Sequence, residues 1–211
     1  MAVITPTITT NDPHKYREQM NLIKSYAEGV HLDFSGGVFT PSKLLPIEDA
    51  WRDDELITHV HLMHKDALEV IEDVISLEAD LVILHVESEN VKEALERLYE
   101  NGTRAGVALL PESSVADIEE LEIDGLFEHV LLFGGKLGSQ GGEADLSLLH
   151  KVSEVKEVYP EVGIGWDGGV NDDNARQIAD AGVDVINVGG YLKNAKDPQK
   201  AYDRLSSLVQ S

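Results

Sequence analysis

The stretch "GVHLDFSGGVFTPS", residues 29–42, decides how the chain is read. Its first half has the Val, Leu and Phe content of a buried strand, and it ends in Gly-Gly. In an extended chain, residues two apart point to the same face. His31 and Asp33 therefore share one side, while Val30, Leu32 and Phe34 share the other. An ionisable pair on one face of an otherwise apolar strand calls for a second surface that is polar and enclosed.

The same pattern recurs outward from this stretch. Short runs rich in Val, Ile and Leu predict strands at 2–8, 29–34, 57–63, 80–86, 104–110, 129–133, 162–167 and 183–189. Amphipathic segments lie between them. In 88–102, Val91, Leu95, Leu98 and Tyr99 fall on one helical face and Gly102 is placed as a C-cap. Residues 171–182 open with capping residues and close on Gly182; in 197–210, Pro198 stands at the first turn. No linker rich in Pro, Gly or Ser divides the chain, so 1–211 reads as one domain. Eight strand–helix alternations predict a parallel sheet closed into a (β/α)8 barrel. The alternative, an open doubly wound sheet, lacks a Gly-rich nucleotide fingerprint after the first strand.

In such a barrel one parity of each strand packs under the helices and the other faces the interior. The apolar parity belongs outside: Leu32 and Phe34, Val60 and Leu62, Val82, Leu84 and Val86, Ile164 and Trp166. The inward set is then Thr5, Thr7, His31, Asp33, His59, His61, Met63, His85 and Asp167. Thr7, His31, Asp33, His61, His85 and Asp167 stand near the C-terminal ends of their strands, where barrel enzymes keep their active sites. Imidazoles and carboxylates converging there make a site for a divalent metal, with Zn, Mn and Fe all compatible. His59, low in the barrel, and His64, past its strand, read as ordinary packed histidines.

Composition narrows the class further. With 17 basic and 39 acidic residues the formal net charge is −22, which disfavours nucleic acid and anionic membrane surfaces as partners. The chain has no cysteine, excluding disulfides and thiolate chemistry. The N-terminal twenty residues lack a basic segment leading into an apolar stretch, and no run is long enough to span a membrane, so a cytoplasmic protein is expected.

Four segments, in order, resemble the ribulose-phosphate 3-epimerase family. "VHLDFSGGVFTPS" is similar to that family's "HxDxMDGxFxPN", and "HVHLMHKDALEVIEDVISLEADLVILHVES" to its "DVHLMV" strand, helix and "HxE" strand. "AGVALLPESSV" resembles "GxALNPxT", and "IGWDGGVNDDNARQIADAGVDVINVGGYLKNAKDP" follows "VDGGVNxxNxxxxxxAGAxxxVAGSAIF". The resemblance implies a ribulose-phosphate-binding barrel and an isomerase that inverts C3 of a ketose phosphate, with one divalent metal ion. His31, Asp33, His61 and Asp167 match its metal ligands, and Asp33 and Asp167 its acid/base carboxylates. Thr7 falls where the family has a serine that hydrogen-bonds the site. Met63 would pack against the reacting carbons, and His85 stands behind the ligands. Gly168 and Gly169, with Gly189 and Gly190, match backbone segments that hold the phosphate; the first pair is read as abutting a helix N-terminus with free N–H groups. Gly141 and Gly142 in the loop 134–145 offer further N–H groups. The family also implies a sugar-phosphate ligand and a homo-oligomer.

Departures concern the walls. Ser35 and Gly36 replace Met and Asp, Val38 replaces His, Leu110 replaces Asn, and Leu132 takes the place of a strand-six Met. These open two alternatives: an epimerase of a six-carbon ketose phosphate such as allulose 6-phosphate, and a non-catalytic phosphate-binding barrel. The orotidine-phosphate decarboxylase and hexulose-phosphate synthase group is disfavoured, because its Asp-x-Lys-x-x-Asp signature lacks its Lys here: Asp33 is followed by Phe34 and Ser35.

Overall fold

A computed structural model describes residues 1–135 and 142–210. Eight parallel strands close into a barrel in chain order: β1 (Val3–Ile8), β2 (Gly29–Ser35), β3 (Ile57–Met63), β4 (Leu81–His85), β5 (Ala105–Leu109), β6 (His129–Phe133), β7 (Gly163–Asp167) and β8 (Val185–Val188). β8 pairs back onto β1, with Thr5 opposite Asn187. The barrel expectation is met.

Helices α1 (Pro13–Ile23), α2 (Ile71–Ser76), α3 (Val91–Glu100), α4 (Val115–Glu120), α5 (His150–Val158), α6 (Ala175–Asp180), α7 (Gly190–Lys193) and α8 (Pro198–Gln210) surround it. Asp12 caps α1 by accepting from the N–H groups of His14 and Lys15. Gly102 ends α3 at φ +72°, with Thr103 N–H reaching back to the Leu98 carbonyl. Pro198 opens α8 as read.

Three sequence readings need correction. The alternation is broken once: between β2 and β3 the chain forms only a short 3-10 turn at Ile47–Asp49. Gly36, Gly37, Pro41 and Pro46 explain this, since glycine and proline both oppose a continuous helix. On α3, Val91, Leu95 and Leu98 are buried, but Tyr99 is 66% exposed. Eight residues beyond Val91, it lies at the rim of the apolar stripe, where its large ring finds solvent. The third concerns Gly168 and Gly169: α6 begins only at Ala175. The intervening turn is folded by asparagines, Asn171 N–H donating to Asn174 Oδ1 and Asn174 Nδ2 to the Gly169 carbonyl.

The core divides by strand parity. Leu32, Phe34, Val60, Leu62, Val82, Leu84, Ile164 and Trp166 join the large layer between sheet and helices. Inside the barrel, Leu81, Ile83, Ala108 and Leu131 form a separate small cluster. Below it His129 takes the space that β7 leaves: a Cβ on Gly165 would lie 2.5 Å from His129 Nε2. The apolar plug separates this lower layer from the polar groups at the opposite mouth.

Candidate metal and substrate site

His31, Asp33, His61 and Asp167 are all buried, and one ligand atom from each lies within 4.8 Å of the others. β2 contributes His31 and Asp33 by its two-residue repeat, and the β2–β3 register sets Asp33 opposite His61. Asp167 is the last residue of β7, which is separated from β2 by the two strands β1 and β8. His61 stands between the carboxylates, with Nδ1 3.2 Å from Asp33 Oδ1 and 3.7 Å from Asp167 Oδ2. His31 Nε2 lies 3.4 Å from Asp33 Oδ1.

This set fits a divalent ion. Neither nitrogen of the fully buried His31 makes a hydrogen bond, a state that is unfavourable unless another partner is present. Two imidazole nitrogens and two carboxylates are also a donor set suited to Zn, Mn or Fe.

The environment splits the two acids. Burial would raise Asp33, but His31 and His61 outweigh it and hold the carboxyl well below the usual range. Asp167 is pushed up to about 6, first by burial and then by the charge of Asp33. His31 is raised: burial opposes its charge, yet contact with Asp33 and then Asp167 prevails. One fold thus presents two nearby carboxyls with opposite protonation tendencies.

Above this group opens a cavity of about 690 Å³, within the range that takes a small metabolite. Thr7, Met63, Gly142, Gly168, Gly169, Gly189 and Gly190, all singled out by sequence, line it. Gly141 lies outside the described residues. Gly168 and Gly169 have φ of +107° and +69°, and a Cβ on either would lie within 2.3 Å of the backbone N of Gly135 or Ala144. Close backbone packing therefore suffices to require glycine there. Gly189 is the N-cap of α7, which starts at Gly190, so the helix start falls at this second pair.

Neighbouring residues add to the set read from the sequence. Thr7 lines the cavity with its Oγ1 buried and unpartnered, and Thr9 adds a hydroxyl that donates to Asp33 Oδ2 at 2.6 Å. Leu132 faces the helices, whereas Phe133 lines the cavity and packs 6.2 Å from the His61 ring, as strand parity would have indicated. Ser35 Oγ accepts from Gly37 N–H and pairs with Thr40, shaping the loop after β2. His85 packs directly on His61.

Residues 3–192 match the family model of the ribulose-phosphate 3 epimerase family. The chain belongs to that family. Its relatives include the ribulose-phosphate 3-epimerase of Helicobacter pylori, 29% identical over 99% of this chain and 98% of that protein. The Bacillus subtilis enzyme of the same name is 28% identical, covering 97% and 98%. Among solved structures, 3-hexulose-6-phosphate synthase from Salmonella typhimurium superposes with a TM-score of 0.70 at 13% identity, covering 99% of this chain and 98% of that one. At that identity the likeness speaks for the fold alone. The isomerase reading stands with the family.

Proposed function

We propose that residues 1–211 form one catalytic barrel that interconverts D-ribulose 5-phosphate and D-xylulose 5-phosphate by inverting C3. The observation that carries this reading is the pair Asp33 and Asp167: two carboxyls from separated strands, meeting at one histidine on the floor of a cavity. Inversion needs a proton to leave one face of a carbon and another to arrive on the opposite face. Two carboxyls flanking the ligand can serve as base and acid in turn.

Asp33 takes the proton from C3 of one epimer. Asp167 returns a proton to the other face; in the reverse reaction the roles exchange. Loss of the C3 proton leaves an enediolate, whose negative charge must be stabilised. His31, Asp33, His61 and Asp167 would hold a divalent ion, whose positive charge would offset that of the enediolate by several kcal/mol. Met63 and Phe133 present apolar surface that excludes water from the reacting carbons. The backbone at Gly142, Gly168, Gly169, Gly189 and Gly190 lies along the cavity wall, where N–H groups can receive the phosphate.

The test is isotope exchange in deuterated solvent. Asp167→Asn retains Asp33, so one epimer should exchange its C3 hydrogen while forming little product, and the other should neither exchange nor react. Asp33→Asn should show the mirror behaviour. Both variants must first be shown to hold metal, because an amide is a weaker ligand than a carboxylate. Full epimerisation by either metal-loaded variant would exclude the two-carboxylate mechanism.

A further inference from the structure

Behind His61 lies a chain of contacts that the proposed chemistry does not use. His61 Nε2 is 2.8 Å from His85 Nε2, and the two rings meet edge to edge, 29° from parallel with centroids 4.9 Å apart. His85 Nδ1 is 3.1 Å from Glu87 Oε2. Glu87 is itself tied down: its Oε1 accepts from Leu110 N–H at 2.9 Å and from the Ser113 hydroxyl. Phe39 closes over His85, ring centroids 4.7 Å apart, and His85 is fully buried.

We propose that Glu87 and His85 are positioning residues that fix the tautomer of His61, so that its Nδ1 presents a lone pair to the metal. The inference rests on the metal reading above, and the argument is one of counting hydrogens. Glu87 as a carboxylate only accepts, so His85 Nδ1 carries a hydrogen. A metal on His61 Nδ1 leaves the one ring hydrogen of His61 on Nε2. Nε2–H then points at His85 Nε2, which must accept it. Every hydrogen along Glu87, His85 and His61 thus has one place, and the direction of the chain is set at its anchored end. A ligand imidazole held this way gains basicity and loses ring freedom, and outer partners of this kind typically change metal affinity 10- to 100-fold.

Glu87→Gln tests the direction. Its carbonyl can still accept from Leu110 and Ser113, while its NH2 faces His85 Nδ1 and donates. His85 must then carry its hydrogen on Nε2 and aim it at His61, leaving the only His61 hydrogen on Nδ1, where it blocks the metal. His85→Leu removes the acceptor altogether and serves as an independent second variant. Zinc titration of metal-stripped protein against a chromophoric chelator should give a Kd roughly 10- to 100-fold higher in both variants, with the fold of the stripped proteins unchanged by circular dichroism. In the zinc-loaded wild type, 15N resonances of the imidazoles should show hydrogen on His61 Nε2 and His85 Nδ1. Variants that bind zinc as tightly as the wild type, or a wild-type His85 carrying its hydrogen on Nε2, would overturn the relay alone. A wild-type chain that is fully active without binding zinc, manganese or iron would overturn the metal reading and the relay with it.

Discussion

Thr9 lies one residue past the end of β1, and its hydroxyl donates to Asp33 Oδ2 at 2.6 Å, a short contact between a neutral donor and an ionised acceptor. Hydrogen bonds to charged groups contribute about 1.5–3 kcal/mol. The bond also orients the carboxyl, leaving Oδ1 to the histidines on the other side. Thr9→Val keeps the shape and removes the hydroxyl. Loss of that orientation should lower kcat by roughly 10- to 100-fold, measured by coupled assay at saturating metal. An unchanged kcat would mean that His31 and His61 alone orient Asp33. Thr7, by contrast, lines the cavity while its hydroxyl oxygen is buried without a partner.

At the level of elements, the segment after β5 is held from two sides. Glu87 grips Leu110 and Ser113 from the end of β4. From α5, the buried Lys151 ammonium donates to the carbonyls of Leu110, Pro111 and Ser113 at 3.1, 2.8 and 2.6 Å. Burial lowers the Lys151 pKa, and the three carbonyls compensate the charge in place of water. Lys151→Met would retain the aliphatic stem and strand three acceptors. We expect it to destabilise the fold by about 2–4 kcal/mol, several degrees in Tm. Because the same turn anchors Glu87, zinc affinity should weaken as well. A variant with wild-type Tm would show that water satisfies these carbonyls equally.

Over the whole molecule, the barrel divides into a polar upper mouth, an apolar plug and a lower layer where His129 fits against the glycines of β7. His129 is buried, its Nε2 has no hydrogen-bond partner, and burial pushes its pKa down to about 3. Its folded pKa lies below the ordinary value of 6.5, so the unfolded chain binds the extra proton between those limits. Stability from a neutral His129 is therefore complete above pH 6.5 and lost as the pH falls toward 3. The slope for one such proton is about 1.4 kcal/mol per pH unit. His129→Gln removes that proton site, so its Tm should fall less steeply than the wild type's between pH 6.5 and 4.5, with metal-free protein used for both. Parallel profiles would mean that water reaches His129 in the folded state. Among the described residues no helix is long and apolar enough to cross a membrane.

What the sequence determined by itself is what the two-residue strand repeat carries. Local sterics assign side chains alternately to the two faces of a strand, so His31, Asp33, His61, His85 and Asp167 were legible as one inward set before any strand was paired. The barrel followed from the count of strands, and Gly102 and Pro198 were readable because helix ends have local chemistry. The tertiary structure alone decided which groups outside the strands reach the site. Thr9 and Glu87 sit just past strand ends, and Lys151 belongs to a helix 40 residues from the Pro111 carbonyl it holds. Strand parity made Phe133 legible as an inward residue, and the register of β6 against β7 then set it opposite Asp167. The loop after β2 closed without a helix, bringing Phe39 onto His85. Hydrogen-bond partners of this kind depend on how loops meet across the barrel mouth. That meeting is set by closure of the whole sheet, and no local pattern in the chain encodes it.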